Sequence, residues 1–146
     1  METKYRVFKT DKDGNVTLYG YERLTGVSGT VWERKSHPNG LWVKGVFGKG
    51  LRSRFSGHFD KSRNEIYEGD ILELINEVSI KIQVTCRFGH AHREVYGTNV
   101  DIIGFYFELP NGKKSFPVID NYVGKHDCQI MEIVGNIYEN KEYLKE

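Results

Sequence analysis

The stretch "NEIYEGDILEL", residues 64–74, combines four acids with five apolar residues, and its interpretation decides the fold. Paired carboxylates can act as acid and base when their environments separate their pKa values. Here Glu68, Gly69 and Asp70 interrupt the alternation of apolar and polar residues. Gly tolerates unusual φ angles, and Asp accepts backbone hydrogen bonds in turns. We therefore predict a turn or bulge that leads into a strand, with a catalytic pair as the alternative.

Strict alternation of apolar and polar residues follows this stretch. Residues 78–86, "VSIKIQVTC", place five apolar side chains on one face and four polar ones on the other, which is typical of a half-buried strand. Together with "DILELI" at 70–75, they predict a hairpin from about residue 70 to residue 87. After a further strand, "DIIGFYFEL", the pair Asn111–Gly112 favours a second hairpin turn, because this pair adopts the positive φ angles that such turns need.

Short strands are predicted over most of the remaining chain. "YRVF" and "VTLYGY" flank a turn at 10–15, and further strands are predicted at 115–120 and 128–138. Asn140 is the predicted cap of a short terminal helix at 141–146. The sequence therefore predicts a mainly β fold with little helix.

Charge divides the chain unevenly. Residues 1–54 hold 11 Lys and Arg against 5 Asp and Glu, a net +6, whereas residues 55–146 hold 10 against 15, a net −5. The polar residues at 55–63 show no regular period, which predicts a connecting loop. We therefore predict a basic, hairpin-rich region at 1–54, this loop, and a β region at 64–146. The two regions attract each other, or the basic one faces an acidic partner.

Length and composition favour one folded domain, or a small domain with an appended subdomain. Hydrophobic residues make up 38% of the 146 residues and the mean hydropathy is −0.54, as in soluble folded chains. The sequence shows neither a membrane-spanning run nor a secretory signal. Two cysteines, Cys86 and Cys128, do not make a disulfide framework. A cytoplasmic location without membrane contact is therefore expected.

Two motifs in this order carry a family likeness: "IYEGD" at 66–70 and "GNIYEN" at 135–140, with weaker support from "KYRVF" at 4–8. The chain thereby resembles the YopX family of phage and prophage proteins. The matching residues are Ile66, Tyr67, Glu68, Gly69, Asp70, Gly135, Asn136, Ile137, Tyr138, Glu139 and Asn140. The resemblance implies a C-terminal SH3-like, partly open barrel with an irregular β-rich N-terminal extension, encoded by a bacteriophage or prophage and located in the host cytoplasm. It implies no catalytic residue set.

Histidine and cysteine spacing offers only weak candidates for a metal site. His90 and His92 share a face if their segment is a strand, and could bind one ion with a third ligand. Candidate third ligands are His58, Asp60, His126 and Cys128. However, the polar segment 89–99 is typical of a solvated loop, and zinc-finger spacing is absent. No metal ion and no cofactor is predicted, and phosphate-binding and nucleophile motifs of known enzymes are also absent.

The segment 34–54 gives the strongest indication of a partner. It holds six cations and no acid, with aromatic residues between them. Cations that pair with phosphates beside aromatics that stack on bases are typical of single-stranded nucleic acid binding. The candidate residues are Arg34, Lys35, Trp42, Lys44, Lys49, Arg52 and Arg54. The favoured interpretation is that Trp42 and Phe47 belong to a core and that the cations are solvated or face the acidic region.

These observations lead to two hypotheses of function. The first is a non-enzymatic accessory protein whose β scaffold binds another protein or assembles with itself, since edge strands can pair with another chain. The second is a nucleic-acid-binding module that uses residues 34–54. Neither hypothesis requires an enzymatic activity.

Overall fold

The computed structural model of the protein describes residues 3–26, 29–75, 81–115 and 131–140. In these ranges the chain forms eleven strands, arranged in two antiparallel sheets. This confirms the prediction of a mainly β fold. No helix among the described residues is long and apolar enough to cross a membrane.

The N-terminal sheet has six strands in the order β4-β3-β2-β1-β5-β6. Its strands are β1 (Lys4–Thr10), β2 (Val16–Thr25), β3 (Val31–Lys35), β4 (Val43–Lys44), β5 (Leu51–Phe59) and β6 (Glu65–Tyr67). The predicted hairpin around residues 10–15 is confirmed, since β1 pairs with β2 up to Thr10 opposite Val16. The carboxylate of Asp11 accepts the backbone N–H groups of Asp13 and Asn15, at 2.9 Å each, and thereby closes the turn.

The prediction of a connecting loop at 55–63 is wrong for residues 55–59, which belong to β5. Ser53 and Phe55 are buried on this strand. Gly57 has a φ of +86° and lies within an irregularity of the register between β5 and β6. Small polar residues in buried positions, together with this bulge, conceal the alternation on which the sequence prediction depended. The boundary of a domain at residue 54 stays a prediction.

The C-terminal sheet has five strands in the order β10-β9-β8-β7-β11. Its strands are β7 (Asp70–Ile75), β8 (Lys81–Val95), β9 (Thr98–Glu108), β10 (Lys114–Ser115) and β11 (Glu132–Asn136). The predicted hairpin of residues 70–87 is confirmed, because β7 pairs with β8 from Ile71 opposite Thr85 to Ile75 opposite Lys81. The turn at Asn111–Gly112 is also confirmed, and Gly112 donates its N–H to the Leu109 carbonyl at 2.8 Å.

The prediction of a solvated loop at 89–99 is wrong, because residues 89–95 belong to β8 and residues 98–99 to β9. β8 and β9 remain paired to the end of the ribbon, where Val95 lies opposite Thr98. Tyr96 and Gly97 both have positive φ, 50° and 79°, as a tight two-residue hairpin turn requires. The side chains described on one face of its distal part, those of His90, His92, Glu94, Asp101 and Ile103, are exposed. The sequence of this part carries no regular apolar alternation from which a strand could be predicted.

The main core lies on the C-terminal sheet. Its buried members are Ile66, Leu72, Val84, Cys86, Phe105, Phe107 and Met131. A smaller cluster on the N-terminal sheet holds Tyr21, Phe55 and Tyr67, with Trp42 packed against it. The neighbouring residues Ile66 and Tyr67 therefore belong to different clusters, and β6 connects the two.

The chain passes from one sheet to the other at Glu68 and Gly69, the only residues between β6 and β7. The described strands of the C-terminal sheet leave it open, with β10 and β11 at its edges. An SH3-like barrel therefore stays a prediction. The strand residues predicted at 116–120 and 128–130 and the helix predicted at 141–146 lie outside the described residues.

Candidate binding surface

An open groove lies beside β4, at the edge of the N-terminal sheet. Its volume is about 390 Å³, within the size range of ligand-binding clefts. The residues that line it are Tyr19, Arg34, Lys35, Ser36, Leu41, Val43 and Phe47. We call this groove, with the residues that line it, the edge groove.

Aliphatic side chains of the edge groove are unusually exposed. Leu41 is 88% exposed and Val43 is 52% exposed, and the nearby Val46 is 46% exposed. Single exposed apolar residues are common on soluble proteins, but a group of them beside a cleft marks an interaction surface. The edge groove therefore has an apolar wall that is open to a partner.

Phe47 is held at the groove by polar contacts with its backbone. Its N–H donates to the Glu22 carboxylate at 2.7 Å, and its carbonyl accepts from Lys9 Nζ at 3.2 Å. Its ring packs edge-on against Tyr19, with centroids 5.2 Å apart. A side chain at Gly20 would place Cβ 2.7 Å from the Phe47 ring and 2.6 Å from the Lys35 carbonyl oxygen. Close packing at this end of the groove therefore requires glycine at position 20.

Cations cover the faces of the aromatic rings around the groove. Lys9 lies 4.1 Å from the centroid of Tyr19. Arg23 and Lys35 lie 4.5 Å and 4.6 Å from the ring of Trp42. Such contacts hold a cation against the ring by the quadrupole of its π system. The half-buried Trp42 thus packs within the protein, in agreement with the interpretation favoured from the sequence.

Arg52 is paired with an acid that lies outside its own segment. Its Nε and one terminal nitrogen donate to the two oxygens of Glu22, at 3.0 Å and 2.9 Å. This fork geometry is the strongest form of an arginine–carboxylate contact, and the hydrogen bond to Glu22 raises the pKa of Arg52. Glu22 is buried. The count of charges within 34–54 therefore overstated the positive charge available to a partner.

The residues predicted to bind nucleic acid are divided between two parts of the sheet. Arg34 and Lys35 end β3 and Lys44 lies on β4, whereas Arg52 and Arg54 lie on β5. β2 and β1 separate β3 from β5, which places the two groups about 14 Å apart at the usual strand spacing. Of these five cations, only Arg34 and Lys35 line the edge groove.

The other candidates of that set differ in their surroundings. The Arg54 guanidinium lies 5.1 Å from the ring of Phe88, on the C-terminal sheet. Lys44 and Lys49 are exposed. Arg34 donates to the Val46 carbonyl at 3.2 Å and lies 5.4 Å from the Phe47 ring. These contacts of Arg34 and Arg54 are made with aromatic rings and a carbonyl oxygen. They are therefore not examples of the predicted pairing between basic residues and the acidic region.

The two family motifs meet at the junction of the sheets. Gly69 has a φ of +90°, and a side chain there would place Cβ 2.5 Å from the ring of Tyr138. Gly69 donates to the Cys86 carbonyl at 2.6 Å and accepts from Ile137 N–H at 2.9 Å. Tyr138 also packs against Phe8 of β1, with centroids 4.8 Å apart. The motifs are therefore a structural junction between β1, β7 and β8.

Asn136 organises the turn that follows β11. Its backbone lies opposite Asp70 in the β7–β11 register. Its side-chain oxygen accepts the N–H groups of Tyr138 and Glu139, at 3.0 Å and 2.8 Å. The side chain of Asn140 in turn accepts from Asn136 N–H at 3.1 Å. The motif "GNIYEN" is thus a turn closed by asparagine side chains.

A buried ion pair lies beneath this junction. Arg6 contacts Asp70 at 2.8 Å, and Asp70 is fully buried. The other oxygen of Asp70 accepts Tyr67 N–H at 2.8 Å. Burial raises the pKa of Asp70 to about 6, although the charge of Arg6 opposes this shift. Together with the pair Lys4–Glu65, this contact shows that the basic and acidic regions do attract each other.

The environment of Asp70 does not suit acid–base catalysis with Glu68. Asp70 has no contact with solvent, so a substrate could not reach it. The backbone of Glu68 closes the turn, because its N–H donates to the Arg54 carbonyl at 2.8 Å and its carbonyl accepts Ser53 Oγ at 2.6 Å. The turn predicted from the sequence is confirmed.

His90 and His92 lie on the β8–β9 ribbon and share one face, as a strand requires. Both contact Asp101 Oδ1, at 3.3 Å and 2.7 Å, and all three side chains are largely exposed. These contacts lower the pKa of Asp101, mainly through the hydrogen bond to His92. Among the described residues, no group of His, Cys, Asp or Glu has the arrangement of a metal site. The candidate ligands His126 and Cys128 lie outside those residues.

Several residues that matter at this surface have no signal in the sequence. Leu41 and Val43 were not singled out, because exposed aliphatics look like core residues in a β-rich sequence. Glu22 was missed because its partner, Arg52, is 30 residues away. No local pattern indicates such a pairing.

The fold and the edge groove define a two-sheet β protein with an open groove at a sheet edge, lined in part by Arg34 and Lys35. The family follows from comparison: the model of the family described as "YopX protein" matches residues 4–145. The chain belongs to this family, which confirms the resemblance drawn from the two motifs. No curated protein matches the chain.

Proposed function

We propose that this YopX-family chain is a non-enzymatic binding module that uses the edge groove to bind a protein, either a different protein or a second copy of itself. The observation that carries the proposal is the exposure of Leu41 and Val43 beside Arg34 and Lys35. Apolar side chains flanked by cations offer a partner both buried area and charge pairing.

Family membership supports the wider setting of this proposal. The family resemblance favours a gene of a bacteriophage or prophage and a place in the cytoplasm of the bacterial host. An SH3-like arrangement of the C-terminal region is part of the same proposal. In this view the C-terminal sheet is the scaffold and the N-terminal sheet carries the binding surface.

Site-specific photo-crosslinking in living bacteria tests the proposal. A benzoylphenylalanine residue at position 41 reports contacts in the groove, and one at position 12, which is exposed on the β1–β2 turn, is the matched control. We expect one discrete protein adduct from position 41 and none of the same mass from position 12. Identical adducts from both positions, or none from position 41, would contradict the proposal.

Nucleic acid binding is the second candidate, and the exposure of Lys44 and Lys49 supports it. Binding of a labelled single-stranded oligonucleotide, followed by fluorescence anisotropy over a range of salt concentrations, tests it. Removal of one phosphate-binding cation should reduce the salt dependence by about one unit of slope. We expect the double substitution Lys44→Ala and Lys49→Ala to reduce the slope by about two units. Absence of binding at low salt would remove it.

A further inference from the structure

We infer that the edge groove binds a short linear segment of a partner protein that carries both carboxylates and aliphatic side chains. This inference rests on the proposed function and names its partner class. The groove has two properties that such a segment would match. Its charged lining residues are cations, and its aliphatic wall, formed by Leu41 and Val43, is exposed.

The charge of the groove has one sign. Of the described residues that line it, Arg34 and Lys35 are cationic and none is acidic. Lys44, next to Val43 on β4, is exposed but lies opposite Glu33 in the β3–β4 register, on the other face of the strand from Val43, and does not line the groove. The nearby acid Glu22 is buried and holds Arg52 and the Phe47 backbone. A carboxylate in the groove would therefore meet attractive side chains, and charge complementarity of this kind selects partners and speeds association.

The positions of these cations are fixed before a partner binds. Arg34 is held by the Val46 carbonyl, and Lys35 Nζ donates to the Pro38 carbonyl at 2.7 Å. The acceptor of Arg34 is a neutral carbonyl oxygen, so this contact leaves the charge of the guanidinium in place. A guanidinium or an ammonium group also carries more than one N–H donor. Pre-organised donors lower the entropy that binding would otherwise cost.

The aliphatic wall selects a protein over a nucleic acid. Leu41 and Val43 gain by contact with apolar side chains, which a nucleic acid does not have. Single-stranded nucleic acids instead need open aromatic faces for stacking. Here cations lie against Tyr19 and Phe47, and a base could stack on those covered faces only by displacing them. The groove therefore fits an acidic–aliphatic peptide better than a polynucleotide.

The contacts should be made by side chains rather than by strand addition. β4 has only two residues, Val43 and Lys44, and short edge strands limit main-chain pairing. A peptide could gain few backbone hydrogen bonds there. The groove of about 390 Å³ instead admits a few side chains, which makes binding sensitive to substitutions at single positions.

Two labelled peptides and one oligonucleotide provide the probes. The first peptide alternates Leu and Glu, the second alternates Leu and Lys, and the oligonucleotide is a single-stranded oligo-dT. Fluorescence anisotropy with the full chain measures each dissociation constant at low and at high salt. We expect the Leu–Glu peptide to bind at least about tenfold more tightly than the Leu–Lys peptide, a difference of about 1.4 kcal/mol. We also expect no saturable binding of oligo-dT.

Exposed positions allow variants that keep the fold. Leu41→Asp and Val43→Asp each add a negative charge to the apolar wall and should weaken binding of the Leu–Glu peptide at least about tenfold. Arg34→Glu reverses a charge that lines the groove and should also weaken binding of the Leu–Glu peptide. Lys12→Glu makes the same charge change on the exposed β1–β2 turn and should leave binding unchanged. Circular dichroism of every variant verifies the fold.

The outcomes separate this inference from the proposed function. Equal binding of both peptides, tighter binding of oligo-dT, or no binding of the Leu–Glu peptide at low salt would overturn the inference. In each case a discrete crosslink from position 41 would leave the proposed function standing. A crosslinked adduct of twice the chain mass would identify a second copy as the occupant and overturn the acidic–aliphatic partner. Absence of both crosslink and peptide binding would overturn both.

Discussion

The two sheets of this protein are stabilised by different interactions. In the N-terminal sheet, buried Lys4, Arg6 and Glu22 are each paired with a side chain of opposite charge. In the C-terminal sheet, the buried cluster is formed by aliphatic and aromatic side chains with one cysteine and one methionine. The N-terminal sheet therefore adds buried ion pairs to a smaller apolar cluster, whereas the C-terminal sheet carries the larger apolar core.

This difference explains why the candidate surface lies where it does. Charged hydrogen bonds fix geometry, and those of Glu22 hold Phe47 and Arg52 at the groove. Apolar burial supplies most of the free energy of folding, and the C-terminal core provides it. The N-terminal sheet can then leave Leu41 exposed. We expect the C-terminal sheet to be sensitive to a loss of side-chain volume and the N-terminal sheet to a loss of charge.

Removal of a large side chain from the C-terminal core should have the largest effect. Phe107 is 1% exposed, and Phe107→Ala should lower the free energy of unfolding by about 4 kcal/mol, because it leaves a cavity. Ile103 lies on the same strand and is 71% exposed, so it supplies the control. Ile103→Ala should change the free energy of unfolding by less than about 0.5 kcal/mol. Urea unfolding measures both, and similar losses would contradict the assigned core.

Substitution at the junction should have the next largest effect. Gly69→Ala combines a positive φ with the approach to Tyr138, and should lower the free energy of unfolding by about 3 kcal/mol. Gly14 has a similar φ of +85° but open space around it, so Gly14→Ala should cost only about 1 kcal/mol. The difference between the two variants isolates the clash. Equal losses would show that Tyr138 moves aside freely.

Loss of charge in the N-terminal sheet should have a smaller effect. Glu22→Gln weakens the contacts with Arg52 and with Phe47 N–H, and should lower the free energy of unfolding by about 2 kcal/mol. Glu33 pairs with Arg23 in a more exposed position, and Glu33→Gln should cost less than about 1 kcal/mol. Thermal or urea unfolding distinguishes the two. If Glu33→Gln lowered the free energy of unfolding more than Glu22→Gln, the expectation that the buried ion pair contributes more would be contradicted.

The pH dependence of stability should reveal Asp70. Its pKa is raised from 3.8 to about 6 by burial, so the folded state binds the proton more tightly than the unfolded state. The resulting stabilisation is complete below pH 3.8 and is lost as the pH rises through about 6. The slope cannot exceed about 1.4 kcal/mol per pH unit.

Comparison with Asp70→Asn isolates this contribution, because the amide does not titrate. The free energy of unfolding of the wild type, relative to that of Asp70→Asn, should fall between pH 4 and pH 7. Urea unfolding at several pH values measures it. A relative stability that rises with pH would show that Arg6 outweighs burial and depresses the pKa of Asp70.

Much of the C-terminal sheet was predictable from the sequence. The alternation in "VSIKIQVTC" identifies β8, and Asn111–Gly112 marks a turn that the structure confirms. The distal ribbon at 89–99 is predicted as a loop, because its sequence carries no regular apolar alternation. Likewise β5 was hidden by Ser53 and Gly57, which occupy strand positions without the usual apolar signal.

The candidate site was less predictable than the fold. Composition indicates its cations Arg34 and Lys35, but it equally indicates Arg52 and Arg54, which lie elsewhere on the sheet. A charge count along the chain cannot tell an exposed cation from one that is paired across strands.

The sequence by itself determined the strand content, several turns and the family, because side-chain alternation, turn chemistry and motifs are local properties. Only the tertiary structure decided that "NEIYEGDILEL" carries the chain from one sheet to the other, with Gly69 against Tyr138. It also decided that Asp70 pairs with Arg6 and Glu22 with Arg52. These contacts join residues far apart in the chain, so their partners are set by strand order and register, which no local pattern encodes.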